Sequence, residues 1–159
     1  MENKKYELLD NDTVTTWDGR TLKRIRALVA IGSLVAAGEL GGYIESENNL
    51  SQVSGYARVY GNAPVYGYAW VYGDARVSGN ARVEQRRDIF WLSIIGSENG
   101  TYTAFKNKDG GISVNRGCFH GTLEQFSDAV NERHTGQFHQ EYQLVIELTK
   151  VRLGVGEAV

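Results

Sequence analysis

The sequence predicts a mainly-β protein. A short parallel β-helix lies between an N-terminal β-hairpin cap and a small C-terminal α+β domain. Three observations carry this reading. A six-residue repeat runs through residues 53–88. Two turn signals, Asp18-Gly19 and Lys108-Asp109-Gly110-Gly111, each separate two strand-like runs. From Thr122 onward the apolar spacing becomes helical.

The repeat reads VSGYAR, VYGNAP, VYGYAW, VYGDAR, VSGNAR and a decaying VEQRRD. Val53, Val59, Val65, Val71, Val77 and Val83 fall in phase. So do Gly55, Gly61, Gly67, Gly73 and Gly79, and Ala57, Ala63, Ala69, Ala75 and Ala81. Neither an α-helix nor a plain hairpin has a six-residue period, whereas short strands joined by corners do. β-Branched valine suits an inward strand position. Alanine, four positions on, points inward where only a small side chain fits. Glycine followed by Asn or Asp supplies the corner dihedrals. Three sixes close one triangular coil. A disordered tract rarely holds aliphatic residues in phase. With an aliphatic residue first and a small residue fifth, the stretch resembles the hexapeptide repeat of left-handed β-helix proteins. The resemblance implies that hand.

Residues 1–34 are the hairpin cap. Tyr6-Glu7-Leu8-Leu9 reads as a strand, and Val14 to Trp17 and Thr21 to Leu28 flank Asp18-Gly19. Lys23, Arg24 and Arg26 read as the charges of an edge strand. Residues 35–88 hold the β-helix, with an irregular entry over 35–52. Val29 and Val35 are six apart, as are Ile44 and Leu50, and the phase then slips by three before Val53. The GELGG stretch lacks the lysine and helix of a phosphate loop and reads as a turn. Two regular coils bury little and leave open ends, so the flanking segments must cap them.

Residues 89–159 form the α+β domain, expected to hold three antiparallel strands and two helices. IFWLSII (89–95) fits a buried strand. TYTAFKN and ISVNR form a hairpin. Thr122 and Gln125 form a capping box for a first helix with Leu123, Phe126, Ala129 and Val130 on one face, closed by His134-Thr135-Gly136. Residues 138–153 read as a second helix with Tyr142, Val145, Leu148 and Arg152 at helical spacing, although the tail also reads as strand-like alternation.

Hydrophobic and charged contents of 42% and 23% are those of an ordinary globular chain. The net charge of −2 gives no general basic field for duplex nucleic acid. The single Cys118 excludes an internal disulfide framework and fits a reducing compartment. No apolar run approaches a membrane span, and the start lacks a signal-peptide core, so a cytoplasmic protein without a membrane partner is expected.

Gly41-Gly42-Tyr43-Ile44-Glu45-Ser46 precedes the repeats, and Ile95-Gly96-Ser97 and Gly117-Cys118-Phe119 follow them. In this order the chain resembles proteins of phages and prophages over nearly its whole length. The resemblance implies the fold and a phage setting in a host cell, and supplies no activity.

Hexapeptide-repeat acyltransferases and carbonic anhydrases use histidines at the coil surface or on an inserted loop. These repeats contain neither. Cys118, His120, His134 and His139 match no familiar zinc spacing, and Cys118 between Gly117 and Phe119 reads as a small buried thiol. No catalytic residues, metal or cofactor are therefore assigned. The coil surface is more informative. Arg58 stacks over Arg76, and Pro64 over Arg82. Tyr66, Tyr68 and Trp70 point outward along one strand, with Tyr60 and Tyr72 beside them. Such a face suits a subunit contact or stacking on bases with phosphates held by arginine. Lys106 and Arg116 lie on opposite arms of the C-terminal hairpin and are expected to converge, with Arg116 close to the free N–H groups of the helix opened by Thr122.

The expected function is that of a non-enzymatic, homo-oligomeric binding protein. By analogy with the phage setting, it would counter host defence by sequestering a nucleotide-type signal. Its ligand residues would be Arg116, Lys106, Arg58, Arg76, Arg82, Tyr66, Tyr68 and Trp70. The alternatives are a structural or adaptor module that occupies a host protein, and a diverged hexapeptide-repeat transferase.

Overall fold

The repeat fixes the centre of the molecule. The computed structural model describes residues 4–32, 35–52 and 56–154. Val53 and Gly55, where the repeat begins, lie outside the described residues. Strands β4 (Arg58–Val59) and β6 (Arg76–Val77) pair in parallel, with Val59 opposite Val77. On the next side, β5 (Pro64–Val65) meets Val83 in a parallel bridge between Val65 and Val83. Both pairings join residues 18 apart, which is three repeats per coil. Every described valine and alanine of the repeat is buried, from Ala57 to Val83. Gly61, Gly67, Gly73 and Gly79 all turn corners with φ between +62° and +64°. There an L side chain would be strained.

The entry coil keeps the expected slip of three. Strand β3 (Leu40–Ile44) pairs in parallel with β5, Ile44 opposite Val65, and Leu50 bridges Val71. Both offsets are 21 residues rather than 18. The Val29–Val35 spacing makes no rung: Val29 is exposed, and Ile31 bridges Val35 antiparallel.

Strands β1 (Tyr6–Thr15) and β2 (Thr21–Ala27) form the N-terminal hairpin. They complete a mixed sheet in the order β1-β2-β3-β5. Tyr6-Glu7-Leu8-Leu9 and Val14 belong to one strand, interrupted by a wide bulge. Leu8 faces Ile25 and Thr13 faces Lys23, so residues 9–12 oppose Arg24 alone. Bulges bend a strand. Tyr6 and Ile25 join the coil core, and the Tyr6 hydroxyl donates to the Leu50 carbonyl at 2.5 Å.

The other end of the coil is closed by β7 (Ile89–Ile95), β8 (Gly100–Lys106), β9 (Ile112–Arg116) and β10 (Phe119–Thr122). They form an antiparallel sheet in the order β10-β9-β8-β7. Ile89 and Phe105 enter the coil core. The last coil has no further strand to bond, and polar groups of the sheet take that place. Arg76 N–H donates to Thr103 Oγ1 at 3.2 Å, and Asn115 Nδ2 donates to the Arg76 carbonyl at 3.0 Å. Arg82 N–H donates to the Lys106 carbonyl at 2.8 Å, and Lys108 N–H to the Asn80 carbonyl at 2.9 Å.

Helices α1 (Leu123–Arg133) and α2 (Gly136–Leu153) share a second core with this sheet, built on Tyr102, Val114, Phe126 and Tyr142. The Thr122–Gln125 capping box forms, and His134 caps the helix end. Four expectations are corrected. The sheet has four strands, not three. The run 89–95 is an edge strand that is buried at Ile89, Phe90 and Ile95 but exposed from Leu92 to Ile94, with Ile94 78% exposed, because the two cores reach only its ends. On α2 the buried stripe is Tyr142, Val145, Ile146, Thr149 and Leu153, leaving Leu148 exposed. Cys118 is exposed, because it sits in the turn between β9 and β10 and not within a strand.

Candidate functional site

A cleft of about 620 Å³ opens where the N-terminal hairpin, the second side of the coil and the tip of the β8–β9 hairpin meet. Its volume lies within the range of about 300–1,000 Å³ usual for small-molecule sites. The bulge at residues 9–12 precedes the part of β1 that lines it. Asp10 accepts a bond from Lys23 Nζ at 2.7 Å, and Asp12 one from Arg24 Nε at 2.9 Å. These bonds hold the extra residues against β2, and Leu22 of the hairpin packs on Tyr43 and Tyr66.

Tyr43 and Tyr66 form the buried wall, 7% and 2% exposed. Pro64 and Ala81 complete the apolar side. Trp17, at the hairpin turn, is 75% exposed and stands at the mouth. The Arg82 guanidinium lies 5.6 Å from the centre of its ring, within cation–π range.

Three cations line this cleft, and they are not equivalent. Arg24 is fully committed. It donates to Asp12, to the Gly41 and Gly61 carbonyls at 2.9 and 3.2 Å, to Asn62 Oδ1 at 3.2 Å and to the Tyr43 hydroxyl at 2.7 Å. Tyr43 donates in turn to Asp12 at 2.8 Å. Bonds from Arg24 and then Tyr43 hold the Asp12 carboxyl below the usual carboxylate range. Burial first, and the bond to Asp12 second, raise Tyr43. Arg24 is thus the rivet between hairpin and coil. Arg82 and Lys108 are exposed and, among the described residues, no carboxylate lies within ion-pair distance of either. Among the described residues, no acidic side chain lines the cleft. The arrangement offers an aromatic plane, an apolar wall and two uncompensated cations.

The residues singled out in the sequence are distributed over several places. Arg82 and Tyr66 line this cleft. Tyr66 does point away from the coil, but the hairpin covers it, so its expected exposure is corrected. Nor do Tyr66, Tyr68 and Trp70 share a strand: Tyr66 follows β5, Tyr68 sits in the Gly67 corner, and Trp70 begins the third side. Trp70 stacks with Tyr72 at 4.2 Å between ring centres, and Tyr72 meets Trp91 edge-on at 4.6 Å. Tyr68 is 74% exposed. Arg58 and Arg76 line a separate cleft.

Lys106 and Arg116 do not converge. Lys106 pairs with Asp88 at 3.4 Å, and Arg116 with Glu98 at 3.6 Å, at opposite ends of the hairpin. Arg116 also lies over the Tyr142 ring at 5.5 Å and shares a cleft with Ala129, Arg133 and His134. That is the carboxyl end of α1, where a cation is favoured and an anion is not. Strand β10 carries the chain back from Arg116 before the helix begins, so the expected approach to the helix N-terminus is corrected. The histidines are engaged separately. His120 Nδ1 lies 2.6 Å from Asn115 Oδ1, and His139 Nε2 lies 2.8 Å from Asn131 Oδ1. His134 packs on Tyr142 at 5.2 Å.

Trp17, Arg24, Tyr43 and Lys108 also line the cleft, and no motif in the sequence marks them as site residues. A tryptophan beside the Asp18-Gly19 turn, where no core can reach it, was the available signal.

A family model of the YdcK beta solenoid repeat matches residues 57–73. This short stretch, within the coil, is similar to that repeat. The chain therefore carries β-solenoid repeats. No curated protein matches the chain. No helix among the described residues is long and apolar enough to cross a membrane.

Proposed function

We propose that this protein is a non-enzymatic binding protein that sequesters a nucleotide-type anion in the cleft between hairpin and coil. One observation carries the reading: an exposed tryptophan and two cations share a cleft where, among the described residues, no acidic side chain lines the wall or pairs with either cation. A base stacks on an aromatic plane for about 1–3 kcal/mol, and phosphates take charge-assisted bonds from arginine and lysine. The phage resemblance supports a cytoplasmic role in a host cell, as a counter to a nucleotide-signalled defence. The hexapeptide pattern supports a left-handed parallel β-helix for the coil.

A second reading has its own observation. Tyr68 in the Gly67 corner and Trp70 and Tyr72 on the third side of the coil are all exposed. That surface suits a protein contact, either with another copy in a homo-oligomer or with a host protein held by an adaptor.

Calorimetry of the full chain against linear and cyclic nucleotides tests the first reading. At least one member of the panel is expected to bind more tightly than about 10 μM, near −7 kcal/mol. Trp17→Ala and Arg82→Gln should each weaken it about tenfold or more. If no nucleotide reaches that level, the adaptor reading replaces this one. A nucleotide consumed with time would restore the transferase reading.

A further inference from the structure

A second cleft lies on the first side of the coil, where the repeat sets two arginines in register. Arg58 and Arg76 are direct partners in the parallel β4–β6 pair. The valines that follow them point inward and are fully buried, so both arginines point outward on the same side. Strands in a sheet lie roughly 4.8 Å apart, and like charges directly opposed in neighbouring strands repel. Among the described residues, neither guanidinium has a carboxylate at ion-pair distance.

The two side chains are nonetheless held in place. The Arg58 guanidinium lies over the Tyr60 ring at 4.2 Å. Arg76 Nη2 donates to the Gly117 carbonyl at 2.8 Å, tying it to the β9–β10 turn. Arg58 Nε is buried and has no hydrogen-bond partner. Burial lowers the Arg76 pKa from its ordinary value, and the neighbouring charges of Arg58 and Arg116 act the same way, against Tyr60. The cleft that both arginines line measures about 270 Å³, with Tyr56, Thr101 and Gly117 around it. Asp74 also lines it, and its Oδ2 accepts a 3.4 Å bond from Ser93. The site is thus a positioned pair of cationic forks with an unused buried donor, in a cleft smaller than an ordinary nucleotide pocket.

We propose that the Arg58–Arg76 pair binds a compact tetrahedral oxyanion, phosphate, presented either as the free ion or as the terminal group of a monoester. Two planar forks side by side match the oxygens of phosphate. Binding there cancels the repulsion between the stacked cations. This site lies on a different side of the coil from the Trp17–Arg82 cleft, and it stands whether or not that cleft takes a nucleotide.

The test is thermal unfolding of the full chain in phosphate, in phenyl phosphate and in chloride of matched ionic strength, with calorimetry alongside. For a dissociation constant of about 1 mM, roughly 10 mM phosphate raises Tm by about 3–6 °C over chloride. Arg58→Gln is expected to raise Tm in chloride, because it relieves the repulsion, while weakening phosphate at least tenfold. Arg58→Lys keeps the charge and loses the fork, so it should fold as the parent does and bind phosphate more weakly. Phosphate binding that Arg82→Gln abolishes and Arg58→Gln leaves intact would place the ion in the Trp17–Arg82 cleft and overturn the proposal. Phenyl phosphate bound tenfold more tightly than the free ion identifies a monoester end, and equal affinity identifies the free ion. No phosphate-specific rise in the parent, or an undiminished rise in Arg58→Gln, overturns the proposal.

Discussion

Val65 pairs in parallel with Val83 across the second side of the coil, and both side chains are fully buried. Each is the other's lid. Val65→Asp sets a carboxylate into that contact with no cation near enough to pair it. An unpaired buried charge costs several kcal/mol, against a total stability of about 5–15 kcal/mol for a protein of this kind. The variant should lose its cooperative unfolding transition and its native circular dichroism. Soluble protein with the parent spectrum would contradict the stacked-coil core.

The coil was legible in the sequence because its constraints are local and strict. Within the repeat each rung sets Val and Ala inside and glycine at the corner, so Val59, Ala63 and Gly61 announce themselves. Even the slip of three before the repeat appears in the strand register at Ile44 and Val65. The cleft was not legible, because its parts meet only through tertiary packing. Trp17 and Arg82 are far apart in the chain and meet only when the hairpin packs on the coil. Tyr66 has the sequence signature of an outward residue, and only the folded hairpin shows that it is covered. The apolar run 89–95 shows the same limit: hydrophobicity alone does not tell that Leu92 and Ile94 lie beyond the reach of either core.

Gly96 connects the β7–β8 turn to α2 at very close range. It adopts φ +76°, and a Cβ there would stand 1.9 Å from the Tyr142 hydroxyl. Tyr142 is fully buried and cannot retreat. Gly96→Ala therefore combines backbone strain with a steric clash and should cost about 2 kcal/mol or more. Gly110 has a similar φ of +80° but open space around it. Gly110→Ala should cost only the backbone term, about 1 kcal/mol. Urea unfolding of both variants measures the difference, and equal losses would count against the Gly96–Tyr142 contact.

Ile94 adopts φ +60° in the irregular stretch between Ser93 and Ile95, and its side chain is 78% exposed. A β-branched residue is strained in that region, and here little burial offsets the strain. Asparagine tolerates the conformation. Ile94→Asn should stabilise the protein by about 0.5–1 kcal/mol in urea unfolding. A loss of stability would mean that the exposed isoleucine makes a contact in solution.

Lys5 supplies a pH signature. Its side chain is 4% exposed, and Nζ donates to the Ala57 carbonyl at 2.7 Å. Burial lowers its pKa from 10.5 to about 8. Below pH 8 the amine is charged in both the folded and the unfolded chain, and burying that charge costs stability. Between about pH 8 and 10.5 the folded chain has released the proton while the unfolded chain still holds it. The unfolded chain then binds more protons, so stability rises with pH. The full shift corresponds to about 3 kcal/mol. Tyr6 and Tyr102 act in the opposite sense above pH 10, since burial keeps their phenols protonated in the folded chain alone. Unfolding free energy should therefore increase from about pH 7.5 to a maximum near pH 9.5–10 and fall beyond it. Lys5→Met removes the buried charge and leaves the Ala57 carbonyl unpaired, at about 1 kcal/mol. It should gain about 1–2 kcal/mol at pH 7 and lose the rise between pH 8 and 10. A parent whose stability is flat over that interval would place the Lys5 amine in water.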